Sequence, residues 1–294
     1  MCSSDLAGTV TVNGAGSQWS GGTMNGTGAT VLSGTNALDI VGASTKFFTQ
    51  RTLTTGGVLT WSGGQINAGA GGTLNNNGTF DIQVNALWTN GFNGSATTIN
   101  NAGTIVRTQG TGLAALDKAV VNNSGTASAV VVQTGTLRLS NQAGAAETGG
   151  GVGTYTAQAG ATLDISGGTY NIGGTLGGAG TLSVSGATLT HTGTYTGTGV
   201  LAVSAGTANW NTGSAMSPGA IVLSGGTSNF NAAAVNTGSL TVAGATLSGT
   251  GTLTLSAGGS GSWSSSTLTG AGRLVIGAGA SFTTAGTGNQ TLNG

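Results

Sequence analysis

Charge is nearly missing from this chain. Its 294 residues include six basic and six acidic side chains, against about a quarter of residues in an average soluble domain. Lys46, Arg51, Arg107, Lys118, Arg138 and Arg273 are scattered. There is no basic patch to neutralise phosphates, which excludes a nucleic-acid binder. No run of about 18 apolar residues occurs, so no helix in this segment inserts into a membrane. The single cysteine, Cys2, excludes an intrachain disulfide, and the single proline excludes collagen and proline-rich linkers despite 60 glycines.

Low charge does not make this a disordered chain. Disordered segments carry charge or proline and lack β-branched residues. Here Val, Ile and Thr recur in short alternating runs, which predict strands. The first residues, "MCSSDL", have neither the charged nor the apolar region of a signal peptide and do not share the pattern that follows. Residues 1–6 read as a non-native leader. Residues 7–294 read as a single repeat region, a fragment of a longer chain whose adjoining parts would be its neighbours.

The repeat is clearest between residues 180 and 245. "TLSVSG", "VLAVSAG", "AIVLSGG" and "SLTVAG" lead with Leu182, Leu201, Ile221 and Leu240, spaced by 19, 20 and 19 residues. Leu253 follows after only 13, and Leu274 after a further 21. The short interval fits either a short rung or two strands of one turn. A period near 20 without a helical pattern predicts a solenoid. The fold class is therefore all-β, a right-handed parallel β-helix (β-solenoid) of about 20 residues per coil. Each coil borrows its core from the next, and backbone hydrogen bonds run between coils about 4.8 Å apart.

Three further patterns carry the same period. "ALDI", "TFDI" and "TLDI" place Asp39, Asp81 and Asp164 between apolar neighbours, so the carboxylates point away from the core. "NNNGT", "NNAGT" and "NNSGT" precede strand-like runs. Asn and Gly enter left-handed conformations cheaply, which predicts sharp corners, and stacked Asn side chains can bond up a ladder. Trp19, Trp61 and Trp263 open related motifs, with Trp88, Trp210 and Phe230 as looser cousins. These rings fill the interior or lie over an outer face. Segments 109–118 and 141–152 fit the repeat least and read as loops leaving a corner.

The passage "INNAGTIVRTQGTG…VVNNSGTASAVVVQTGTLRLSNQAG…GTYTAQAGATLDISGGTYNIGG" resembles the glycine-rich repeats of large bacterial secreted adhesins, both filamentous-haemagglutinin-like proteins and autotransporter passenger domains. The resemblance covers most of residues 7–294. It implies a right-handed parallel β-helix displayed outside the cell, on the bacterial outer surface or in the extracellular space. It implies a structural stalk or adhesin segment, with host-surface or matrix glycans or proteins as partners. It supplies no catalytic motif, and no cofactor or metal.

The alternative is a carbohydrate-binding surface on the β-helix, with Trp61, Trp210, Trp263, Asp81 and Asp164 as candidate glycan contacts. A polysaccharide-degrading enzyme is a weaker reading. Glycoside hydrolysis wants two carboxylates about 5–9.5 Å apart, and Asp39 and Asp81 lie two coils apart. Asp117 can pair with its neighbour Lys118. His191 has no acid or cysteine in its coil for a triad or a metal site and reads as a surface residue. A flat threonine face for ice is weakened by the motifs "TLT", "TAN", "TSN" and "TLS", which keep Thr in the first column only.

Overall fold

A computed structural model describes residues 7–14, 16–92, 94–141, 148–285 and 291–292. The chain forms two compact units, residues 1–154 and 155–294. Every strand pairing described below is parallel, and each unit is a β-solenoid.

In the first unit each coil contributes three strands, and like strands stack in three columns. The first column contains Thr9–Val12, Ala29–Leu32, Thr52–Thr55, Thr73–Asn76, Thr97–Asn101, Ala119–Asn123 and Thr148–Gly151. The second contains Ser17–Trp19, Ala37–Ile40, Val58–Trp61, Thr79–Ile82, Thr104–Arg107 and Ala129–Val132. The third contains Gly22–Met24, Lys46–Thr49, Ile66–Gly69, Leu87–Phe92, Leu113–Asp117 and Thr136–Ser140. Residues 109–118 are therefore not all loop. Leu116 enters the stack between Trp88 and Leu139. Of segment 141–152, residues 142–147 lie outside the described residues, and Thr148–Gly151 is a strand.

The period-2 alternation decides what is inside. Leu38, Leu59, Phe80, Ile105 and Val130 form one inward ladder, and Leu53, Leu74, Ile99 and Val121 another, all fully or almost fully buried. Each such side chain contributes about 1.5–3 kcal/mol by leaving water. Between these ladders Trp61 stacks on Phe80 with ring centroids 6.5 Å apart, and Trp88 meets both edge-on at 6.4 and 6.1 Å.

The second unit has the same design with shorter coils. Its leading column runs in register through Thr162, Thr181, Val200, Ala220, Ser239, Ser260 and Ser281. Its middle column runs through Thr169, Thr188, Thr207, Thr227, Thr246, Thr267 and Thr291. Many corners are so shallow that two columns merge, as in Thr181–His191 and Val200–Trp210. Leu182, Leu201, Ile221 and Leu240 are in register, as their spacing predicts. Leu253 and Leu274 pair in a trailing column, so the short interval after Leu240 is two strands of one coil. Trp210 stacks on Phe230 at 6.2 Å inside this unit.

The Asn-Gly corners correct one expectation. Gly78 and Gly103 do not adopt a positive φ. Glycine is needed there because the coils touch: a Cβ on Gly103 would overlap the carbonyl oxygen of Gly78, and one on Gly78 that of Gly57. Those carbonyls accept the inter-coil bonds, from Thr79 N to Gly57 O at 2.9 Å and from Thr104 N to Gly78 O at 2.8 Å. The asparagines of these corners do form ladders, an inner one and an outer one. The inner one joins Asn76, Asn101 and Asn123 by amide bonds of 2.7 Å each, and Asn76 and Asn101 also donate to Thr104 O and Ala129 O at 2.9 Å. The outer one joins Asn75, Asn100 and Asn122 at 2.9 and 3.3 Å.

Candidate functional site

The few side chains able to do chemistry are mostly occupied with holding the coils. Lys46 and Arg107 stand at inward positions of their strands, and Arg51 stands at a corner; all three are at most 1% exposed. Lys46 Nζ donates to Gly42 O and Gly63 O at 2.7 and 2.8 Å. Arg51 donates to Thr30 Oγ1, Ala29 O, Asn25 O and Gly8 O. Arg107 donates to Val84 O, Asn85 Oδ1, Gly110 O, Gly112 O and Thr134 O, between 2.6 and 3.3 Å. Gly8 O, Gly110 O and Gly112 O also accept from Ala29 N, Thr134 Oγ1 and Thr136 N; a buried acceptor left with no donor costs about 1–3 kcal/mol. Burial pushes the pKa of Lys46, Arg51 and Arg107 each below its ordinary value.

The five candidate glycan contacts do not come together. Trp61, Trp210 and Trp263 are 0%, 1% and 2% exposed, so these rings lie inside the coils and offer no outer face. Trp61 Nε1 donates to Gly64 O at 2.8 Å, and Trp210 Nε1 to Ser228 Oγ at 3.0 Å. The aspartates do point outward. Asp81 Oδ2 accepts from Gln83 Nε2 and its Oδ1 from Thr108 Oγ1, both at 2.6 Å. Asp164 Oδ1 accepts from Ser183 Oγ at 2.8 Å and is nearly buried. Thr60 separates Asp39 from Asp81 in the register of the second column.

Two other readings need correction. His191 is not a surface residue: it is fully buried, with Trp210 edge-on at 6.4 Å. Its Nδ1 lies 3.0 Å from Ile172 O; a carbonyl only accepts, so Nδ1 carries the proton. Burial lowers its pKa against the opposing pull of backbone bonds to Ile172 and Thr194. Asp117 makes its ion pair across the coils with Arg138 at 3.9 Å, and not with Lys118. The adjacent Lys118 is exposed, with a φ of 54°.

The outer faces are therefore the available surface. On the second unit the middle column presents Thr169, Thr188, Thr207, Thr227, Thr246 and Thr267 in register. Two residues on, Asn171, Thr190, Asn209, Asn229 and Ser248 form the companion row. Asn229 Nδ2 donates to Asn209 Oδ1 at 2.7 Å. The first column is threonine throughout and the second is mixed, as the sequence motifs indicate.

On the first unit one feature stands outside this neutral hydroxyl pattern. Phe47 and Phe92 are half-buried on the outer face of the third column, with ring centroids 6.1 Å apart and planes at 75°. Asn67 pairs with both Phe47 and Thr89 in the register between them. The sequence signal was available in "KFFT". On a strand, adjacent phenylalanines cannot both face inward, and Phe48 is the fully buried one.

Among the described residues no three His, Cys, Asp or Glu side chains gather as a metal site, and no helix is long and apolar enough to cross a membrane. Comparison with known proteins finds no matching family model, no matching curated protein and no matching solved structure.

Proposed function

We propose that this chain is a non-catalytic β-solenoid segment of a bacterial surface-exposed or secreted protein, acting as a stalk or as adhesin material. The observation that carries this reading is where the reactive groups go. Lys46, Arg107 and His191 are spent inside on backbone carbonyls, and both oxygens of Asp81 are held by neighbouring side chains. What remains outside is an array of mostly neutral hydroxyls and amides, in which Lys118 and the Arg138–Asp117 pair are among the few charges. Such an array suits display on an exterior face, where host-surface or matrix glycans and proteins would be its partners.

Two measurements test this. Incubation with a panel of neutral and acidic polysaccharides should release no reducing ends and no unsaturated sugars. Turnover that disappears in Asp81→Asn or Asp164→Asn would falsify the non-catalytic reading. Antibody raised against the chain should label intact cells of the source bacterium. Labelling only after lysis removes the proposal of external display.

A further inference from the structure

We propose that the corner between Phe47 and Phe92 is a binding site for a neutral sugar. The inference rests on the display reading above and gives it a ligand class and a place.

Five of the seven aromatic residues in the first unit, Trp19, Phe48, Trp61, Phe80 and Trp88, are inside and at most 1% exposed. Phe47 and Phe92 are the exceptions, and they are brought together from coils two rungs apart. Alternation alone sends Phe47 outward. Phe92 needs more. The strand Leu87–Phe92 runs in register with Ile66–Gly69 until Asn90, and then slips, so that Gly91 is extra and Phe92 faces Gly69. A bulge of this kind re-aims a side chain and is a local departure from the ladder. Here it turns Phe92 back over the preceding rung towards Phe47, and the two ring planes meet at 75°.

The floor of that angle is polar and built to fit. A Cβ on Gly91 would overlap the Asn67 amide, and a Cβ on Gly69 would overlap the Asn90 side-chain oxygen. Both amides thus lie against backbone that only glycine leaves bare. Thr89 Oγ1 is 3.5 Å from Asn67 Oδ1, and Gln65 Nε2 donates to Thr89 Oγ1 at 3.3 Å. Asn67 Nδ2 donates to no described residue. The outward positions nearest the corner, Thr23, Phe47, Asn67 and Thr89, are uncharged, and Lys46 turns inward.

An apolar wall with a few convergent amides and hydroxyls is the general form of a small-ligand site. The partner must offer a flat C–H face to one ring, hydroxyls to Asn67, and no charge. A neutral pyranose does all three. A charged sugar would find no counter-charge among these outward positions.

The test uses the whole chain. Saturation-transfer NMR and calorimetry are run against glucose, galactose, mannose, N-acetylglucosamine and their short oligomers. At least one should bind, with transfer strongest on its C–H face. Phe47→Leu and Phe92→Leu keep apolar bulk and remove the ring. Each should weaken binding about tenfold or more, while Asn67→Ala weakens it several-fold. Thr207→Ala, on the second unit, should leave binding unchanged. The proposal is overturned if no sugar in the panel binds the folded wild-type chain. It is equally overturned if both leucine variants bind normally, or if only acidic polysaccharide or proline-rich peptide binds. Failure of binding leaves the display reading standing, whereas release of reducing ends removes that reading without touching the corner.

Discussion

Residues 7–154 and residues 155–285 stack strands on the same principle but turn their corners differently. In the first unit successive strands of the second column are offset by 21, 21, 25 and 25 residues, from Ala37 to Val58, Thr79, Thr104 and Ala129. In the second unit the middle column runs from Thr169 to Thr188, Thr207, Thr227, Thr246 and Thr267, offsets of 19, 19, 20, 19 and 21. The extra residues of the wide coils bring extra carbonyl groups to the interior. Lys46, Arg51 and Arg107 take up those carbonyls, and the inner Asn ladder does similar work along the edge of the sheet. Tight coils have no such surplus, and glycine at the contact is enough. The second unit accordingly holds only Asp164, His191 and Arg273 among Asp, Glu, His, Lys and Arg. Within the first unit the buried cations sit beside its longer offsets, 24 residues from Gly22 to Lys46, 23 from Ala29 to Thr52 and 25 from Thr79 to Thr104.

The largest test of this contrast is Arg107→Met. It takes the guanidinium donors from five acceptors in three successive coils, of which Gly112 O and Gly110 O keep bonds from Thr136 N and Thr134 Oγ1, and should cost the first unit on the order of 3–5 kcal/mol. Hydrogen exchange should show protection lost around Thr79–Val132, with Thr162–Phe230 unaffected. A loss below about 1 kcal/mol would mean the buried cations are incidental. Next comes Asn101→Ala, which opens the inner ladder on both sides and should cost roughly 2–3 kcal/mol in urea denaturation. The outer Asn100→Ala should stay within about 0.5 kcal/mol, and equal effects would erase the distinction between the two ladders.

In the second unit Gly199→Ala pushes a Cβ into the carbonyl oxygen of Gly180 and should cost about 1–3 kcal/mol. Gly213, with open space around it, should accept alanine within about 0.5 kcal/mol. The smallest effect is that of pH. His191 has a lowered pKa because it is buried, so the unfolded chain binds its proton more readily. The stability it contributes is complete above about pH 6.5 and is lost as pH falls below that value. Thermal melts should show the second unit weakening from pH 7 to pH 5 more than His191→Phe does. An unchanged slope in the variant would exonerate the histidine.

Much of this was legible in the residues. The leading-column leucines announce their own register, and the paired asparagines announce their ladders. The run "IVRT" even carries the phase that turns Arg107 inward, since Ile105 and Arg107 share a face. The direction of the tryptophans was legible only in part. Leu59 shares a strand face with Trp61, whereas Trp263 lies among Ser and Gly with no apolar neighbour to fix its phase; all five prove to be interior. The pairing of Asp117 with Arg138 was hidden for a related reason, because a partner one coil away is remote in sequence. The Phe92 direction depends on a bulge, and a bulge is a property of two strands together.

By itself, the sequence determined that strands of this chain would stack in parallel at a period near 20. It did so through alternation and spacing, which are local and repeat without reference to anything distant. Only the tertiary structure decided which glycines touch the coil below, which cations sit among carbonyls, and where two phenylalanines meet on the outside. Each of those depends on the offset between neighbouring coils, and that offset changes wherever a corner gains or loses a residue.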